Sequence, residues 1–160
     1  MQSIPFRVII SHNYCLHQID FLSSYLTFHA HQVISLEIDD TIRDDSSVIS
    51  LLFNRHNFIN LQSCIFGSIN PSTKLENVFK QIQSLNRLVT FNLVQCVNIN
   101  EKDKCDLTRI MLTHKSSFLR SMILHHCYDY LDISNYTSIS SNLTSLHLLI
   151  HCVQLFIQFY

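Results

Sequence analysis

One glycine and two prolines in 160 residues leave this chain few sharp turns. Tight β-hairpins draw on Gly, Asn-Gly and Pro for their loop angles. This argues against an antiparallel β protein, and the connections fall to helices or to loops of Asn, Asp and Ser. The lone Gly67 also rules out a Gly-rich loop that cradles phosphate. Charge of one sign is missing as well: the formal net charge is −1, with 5 basic and 7 acidic residues through Lys80 and 6 and 5 after it. That removes the electrostatic case for nucleic acid. No long apolar run opens the chain, since MQSIPFRVIISHNYC holds only Val8 to Ile10 before polar residues return, too short for a signal-peptide core. The apolar stretch 143–160 is broken by His147, His151, Gln154 and Gln158, so no membrane span is expected. An intracellular chain follows, in which six scattered cysteines stay reduced and the sequons at Asn135 and Asn142 go unused.

What the chain has instead is a repeat. VISLEI at 33–38 sets a pattern of apolar, two variable, apolar, variable, apolar. It returns as LQSCIF (61–66), LVTFNL (88–93), LRSMIL (119–124) and LTSLHL (143–148). The fourth positions are Leu36, Cys64, Phe91, Met122 and Leu146, with steps of 28, 27, 31 and 24 residues, the range of repeat architectures. A strand of this pattern buries its first, fourth and sixth positions on one side and presents the third, fifth and seventh on the other. One unit cannot bury that face alone, so the units must stack, with a helix returning the chain to start each parallel strand.

The segments between the copies read as helices. Cys15, Leu16, Ile19, Leu22 and Leu26 follow the leading strand FRVIIS at helical spacing, and Ser46 or Ser47 caps a short helix bearing Val48, Leu51 and Leu52. Thr73 and Glu76 have capping-box spacing ahead of the stripe Leu75, Val78, Phe79 and Ile82. NINEKDKCD is a polar insertion, followed by a helix with Leu107, Ile110 and Met111, and 129–142 has no sustained helical period. The whole of 1–160 reads as a single domain. It has a degenerate strand-helix unit over 1–32, five repeats over 33–152 and an apolar segment over 153–160.

The strand motif, its period, and Cys96 and Cys127 at the ninth position resemble the leucine-rich-repeat family over 33–152. The resemblance implies an α/β solenoid, a horseshoe arc with a parallel β-sheet on its concave face and helices on its convex face. RVIIS, a helix, HAHQVISLEIDD and LFNRHNFINLQSCIF further resemble the repeat region of F-box and leucine-rich-repeat proteins. In those proteins the F-box docks on a ubiquitin-ligase adaptor while the repeats hold the substrate. No F-box motif stands at this N-terminus, so the recognition surface is what carries over.

A protein ligand is accordingly expected on the outward sheet positions. Those of interest are Glu37, Asp39, Ile65, Asn92, Val94, Ile123, His125 and His147, running from acidic through apolar to His-rich. The third positions, Ser35, Ser63, Thr90, Ser121 and Ser145, are hydroxyls that suit the rim of a parallel sheet. An alternative is a shared metal at His125, His126, Cys127 and His147, although alternation sends His125 and His126 to opposite sides. No metal site or cofactor is expected, and no cysteine has the paired base of a nucleophile, so the chain does not read as an enzyme. Asp39, Asp40, Asp44 and Asp45 read as a solvated helix N-terminus, and His56 and His114 as surface or helix-end residues. A last alternative is a repeat fragment without independent function, which would cap its apolar 153–160 end by folding back or by self-association.

Overall fold

Strand periodicity and helical periodicity alternate along the chain, and the computed structural model turns each alternation into an element. It describes residues 4–11, 14–40, 47–68, 75–94, 101–114, 116–128, 143–150 and 153–158. The elements are β1 (Phe6–Ile10), α1 (Leu16–His29), β2 (Val33–Asp39), α2 (Val48–Arg55), β3 (Ser63–Ser68), α3 (Leu75–Ser84), β4 (Thr90–Leu93), α4 (Glu101–Leu112), β5 (Ser121–Tyr128), β6 (Ser145–Ile150) and β7 (Val153–Gln158). One sheet takes the strands in sequence order. Strands β1 to β6 are parallel and β7 folds back antiparallel on β6. Parallel neighbours need crossovers of one hand, and adding each strand on the same side lays the crossover helices on one face. Successive helices accordingly touch, α1 with α2, α2 with α3 and α3 with α4. The chain is a mixed α/β protein whose six-strand parallel sheet keeps the order of its repeats.

The expected inward positions form the core. Leu36, Ile38, Cys64, Phe66, Phe91, Leu93, Met122 and Leu124 are at most 1% exposed, and they join the buried helix residues in one cluster. Full burial of each such side chain contributes about 1.5–3 kcal/mol. Phe53 of α2 packs edge-on against Phe58 (5.4 Å between ring centroids) and Phe66 (5.9 Å), and Phe66 against Phe91 (5.6 Å). Edge-to-face contact sets the positive rim of one ring against the negative face of the next.

The first motif position behaves differently from a strand residue. Leu61, Leu88 and Leu119 are buried but precede their strands, and each donates its N–H to the carbonyl three residues back: Phe58, Leu85 and Ser116. A tight turn, not strand alternation, points these leucines inward. At the next position one carbonyl serves two donors of the following unit. Gln62 O accepts from Val89 and Thr90, Val89 O from Arg120 and Ser121, and Arg120 O from Thr144 and Ser145.

Three further expectations are corrected. Residues 101–106, expected in a polar insertion, open α4; Glu and Lys are good helix formers, and an acid in the first turn complements the helix dipole. Asp40 is fully buried and is no solvated residue. Its carboxylate accepts from Ser47 Oγ (2.9 Å) and from the N–H groups of Val48 (2.6 Å) and Ile49 (3.1 Å), while Ser47 Oγ caps Ser50 N–H. Asp44, Asp45 and Thr73 lie outside the described residues, as does 129–142. Finally, His56 and His114 are buried.

These histidines hold equivalent places, five residues ahead of Leu61 and Leu119, and each bonds back to the preceding unit. Ser23 Oγ and His56 Nε2 are 2.8 Å apart. His114 Nε2–H donates to Ile82 O (2.7 Å) while its Nδ1 accepts from Ser116 N–H (3.0 Å), which requires the neutral ring. Other side chains tie units in the same sense: Asn60 Nδ2 donates to His31 O, Gln81 Nε2 to Phe53 O, and Ser116 Oγ to Asn86 O and Leu88 O. Burial lowers the pKa of both histidines below 6.5, helped at His56 by the neighbouring Arg55 and opposed at His114 by the bond to Ile82. A base with a lowered folded pKa leaves the unfolded state binding more protons below 6.5, so stability is full above that value and falls as pH drops through it. The urea midpoint is expected to fall between about pH 7.5 and about pH 5.5, with two imidazole NMR signals titrating below the ordinary 6.5 of a free ring. A flat midpoint would refute this.

Candidate functional site

The sheet has one face under the helices and one face without them. On the open face Ile9, Glu37, Ile65, Asn92, Ile123 and His147 are successive register partners, a row that crosses six strands. Beside it runs a hydroxyl row, Ser35, Ser63, Thr90, Ser121 and Ser145, in which Thr90 Oγ1 donates to Ser63 Oγ (3.0 Å). Register is thus held on both faces: the inward set is buried and Glu37 points outward.

Several expected site residues come together. Glu37, Ile65, Asn92, Ile123 and His147 are side by side, each partly buried by its neighbours on the flat face. Val94 is 40% exposed just past β4 and still bonds the sheet, donating its N–H to Phe66 O (2.9 Å). Asp39 sits beyond a bulge, where pairing slips from Ile38 with Phe66 to Asp39 with Ser68, so it leaves the plane of the row. The register also slips in β5 between Leu124, opposite Leu148, and Cys127, opposite Leu149. The side chains of His125, His126 and Cys127, and all of Cys96, lie outside the described residues.

The acidic edge needs correction. Glu37 forms an ion pair with Arg7 of the leading strand, their side chains 37% and 52% exposed, so that end of the row is neutralised. At such exposure the pair adds about 0–1 kcal/mol. The apolar middle is the stronger feature. Asn92 stands between Ile65 and Ile123, and its Oδ1 is shut off from solvent with no hydrogen-bond partner among the described residues. A buried unpaired carbonyl costs about 1–3 kcal/mol. Rotation about the soft terminal torsion of Asn turns either amide atom outward.

Two features were not singled out in the sequence. The leading strand belongs fully to the sheet and supplies Arg7 and Ile9 to the open face. At the rim where strands begin, Gln62, Arg87, Val89 and Phe118 line a cavity of about 370 Å³, with Phe118 mostly exposed. An aromatic directly before the motif, where the other units have Gln32, Asn60, Arg87 and Asn142, was the available signal.

Among the described residues no three His, Cys, Asp or Glu side chains gather. Cys64 faces the core and burial pushes its thiol far above the ordinary value, which makes it an inert packing residue. Cys15, expected in an apolar stripe, is exposed at the start of α1, where its N–H donates to Gln18 Oε1 (2.9 Å). Among the described residues no helix is long and apolar enough to cross a membrane. Compared with models of protein families, with curated proteins and with solved structures, the chain matches none.

Proposed function

We propose that this chain is a leucine-rich-repeat module that binds a protein ligand on the open face of its sheet. The observation that carries the proposal is the row Ile65, Asn92, Ile123, with its unpaired Oδ1 at the centre. Partly covered apolar side chains flanking an unsatisfied amide suit a polypeptide segment that lays apolar groups on both isoleucines and offers a backbone hydrogen-bond partner to Asn92. Glu37 and His147 bound the row and supply polar contacts at its ends, as rims of interfaces do. Holding a substrate for a ubiquitin ligase is the role that the resemblance to F-box repeat regions adds to this proposal.

Asn92→Leu separates the ligand role from a structural one. It removes the unpaired oxygen and is expected to raise stability by about 1 kcal/mol while weakening capture of proteins from cell extract. The triple change Ile65→Ala, Asn92→Ala and Ile123→Ala should abolish capture with the circular dichroism spectrum unchanged. Capture that survives the triple change would sink the proposal.

A further inference from the structure

The leading edge of the sheet carries a second surface. Among the described residues strand β1 pairs with β2 alone, and along the other side of such an edge every second residue turns its backbone groups outward. Above that edge, α1 is apolar on two faces. Ile19, Ser23 and Leu26 are buried, while Phe21 and Phe28 are 78% and 75% exposed and Tyr25 is about half exposed. Phe21, Tyr25 and Phe28 fall at i, i+4 and i+7 and so share a stripe. Between edge and stripe runs an open groove of about 570 Å³, lined by Phe6, Arg7, Ile9, Tyr14, Phe21 and Leu22 among others.

We infer that this edge pairs with the same edge of a second copy of the chain, β1 antiparallel to β1 and α1 against α1, about one two-fold axis. Three observations favour a second copy as the occupant. First, FRVII is self-complementary when centred on Val8. Phe6 meets the partner's Ile10, Val8 meets the partner's Val8 and Arg7 meets the partner's Ile9, so the core side stays apolar and no like charges oppose.

Second, the same axis serves both layers. Phe6 and Tyr25 rings are 6.0 Å apart, and α1 runs back along β1 because β1 and β2 are parallel. Two strand residues rise about 6.6 Å, the length of roughly four helical residues. The helix residue level with Val8 is therefore Phe21, which lines the groove with it. An axis through Val8 and normal to the sheet brings Phe21 against the partner's Phe21 with both helix layers on the same side, the isologous arrangement of two-fold dimers.

Third, the area is sufficient. Ile4, Ile9, Tyr14, Phe21, Tyr25 and Phe28 are all large exposed apolar residues. With aromatic side chains of roughly 150–250 Å² each, their exposed parts sum to the order of 700 Å², near the ~800 Å² per partner of a standard interface.

Sedimentation velocity on the full chain tests the pairing. At tens of micromolar the wild type is expected at twice its 18.7 kDa mass, and the double variant Phe21→Glu and Phe28→Glu at the single mass with an unchanged circular dichroism spectrum and a melting temperature lowered only by the lost association. Val8→Cys in a Cys15→Ser background should form a disulfide-linked dimer under mild oxidation. Arg7→Cys should not, because two residues offset across the axis exceed the ~7 Å reach of a disulfide. A monomeric wild type would overturn the inference and leave the edge to a different polypeptide. A dimer that persists in the double variant, or cross-links equally through position 7, would overturn it too.

Discussion

Phe66→Ala should cost about 3–5 kcal/mol, the range for emptying an aromatic site in a close-packed core. Phe66 is 1% exposed and lies between Phe53 of α2 and Phe91 of β4, with ring planes at 81° and 87° to its own. Alanine there removes two edge-to-face contacts and leaves a void that neither flanking ring can fill without leaving its rotamer. Small domains have only about 5–15 kcal/mol in all, so the variant stands at the limit of folding. The loss also extends beyond one unit, because stacked repeats owe much of their stability to their interfaces with neighbours. Urea denaturation followed by circular dichroism measures the effect. Phe118→Ala, on a mostly exposed ring, should change stability by no more than about 0.5 kcal/mol. A comparable loss in both variants would show that the Phe53, Phe66, Phe91 stack is not the structural spine described above.

Asp40→Ala should cost about 3 kcal/mol. The carboxylate is fully buried, yet its oxygens receive the Ser47 hydroxyl and the N–H groups of Val48 and Ile49 at the head of α2. Those amides belong to the first turn of a helix, which has no carbonyl of its own to offer them, and the helix dipole favours a negative charge there. Alanine leaves the donors in an apolar setting without water. Asp40→Asn keeps the volume and one good acceptor and should lose about half as much. Because the site is closed to solvent, the difference between Asp and Asn should persist in high salt, where a surface pair would be screened. A cost for Asp40→Ala below about 0.5 kcal/mol, the scale of an ordinary surface substitution, would mean that the buried cap does not hold α2 in place.

Much of this fold can be read from the chain because alternation is a strong code. A one-residue slip would have turned Leu36 and Ile38 outward and Glu37 inward, and the same logic placed Ile65, Asn92 and Ile123 together on the open face. The turn before each strand is less legible, since Leu61 carries the same apolar signal whether a strand or a turn points it inward. Asp40 looked solvated because a carboxylate among other acids ordinarily is. What buries it is a set of donors seven to nine residues along, a long-range pairing that composition does not display. His56 and His114 share their place relative to the strand motif, a regularity hidden while the repeat is defined by its six strand residues alone. At the candidate site, the row was legible from the repeat alignment. The pairing of Glu37 with Arg7 was not, because it required β1 to be a full member of the sheet.

The backward-pointing ties between units give the array a polarity that symmetrical stacking would lack. Asn60, Gln81, His114 and Ser116 are donors in a later unit, and the carbonyls of His31, Phe53, Ile82, Asn86 and Leu88 are their acceptors in an earlier one. Removing a later unit uncovers carbonyls that water can satisfy. Removing an earlier one opens the same interface and leaves the donors of His114 and Ser116 to water in their turn. A chain emerging from the ribosome meets this order naturally, because each new unit finds its acceptors already folded.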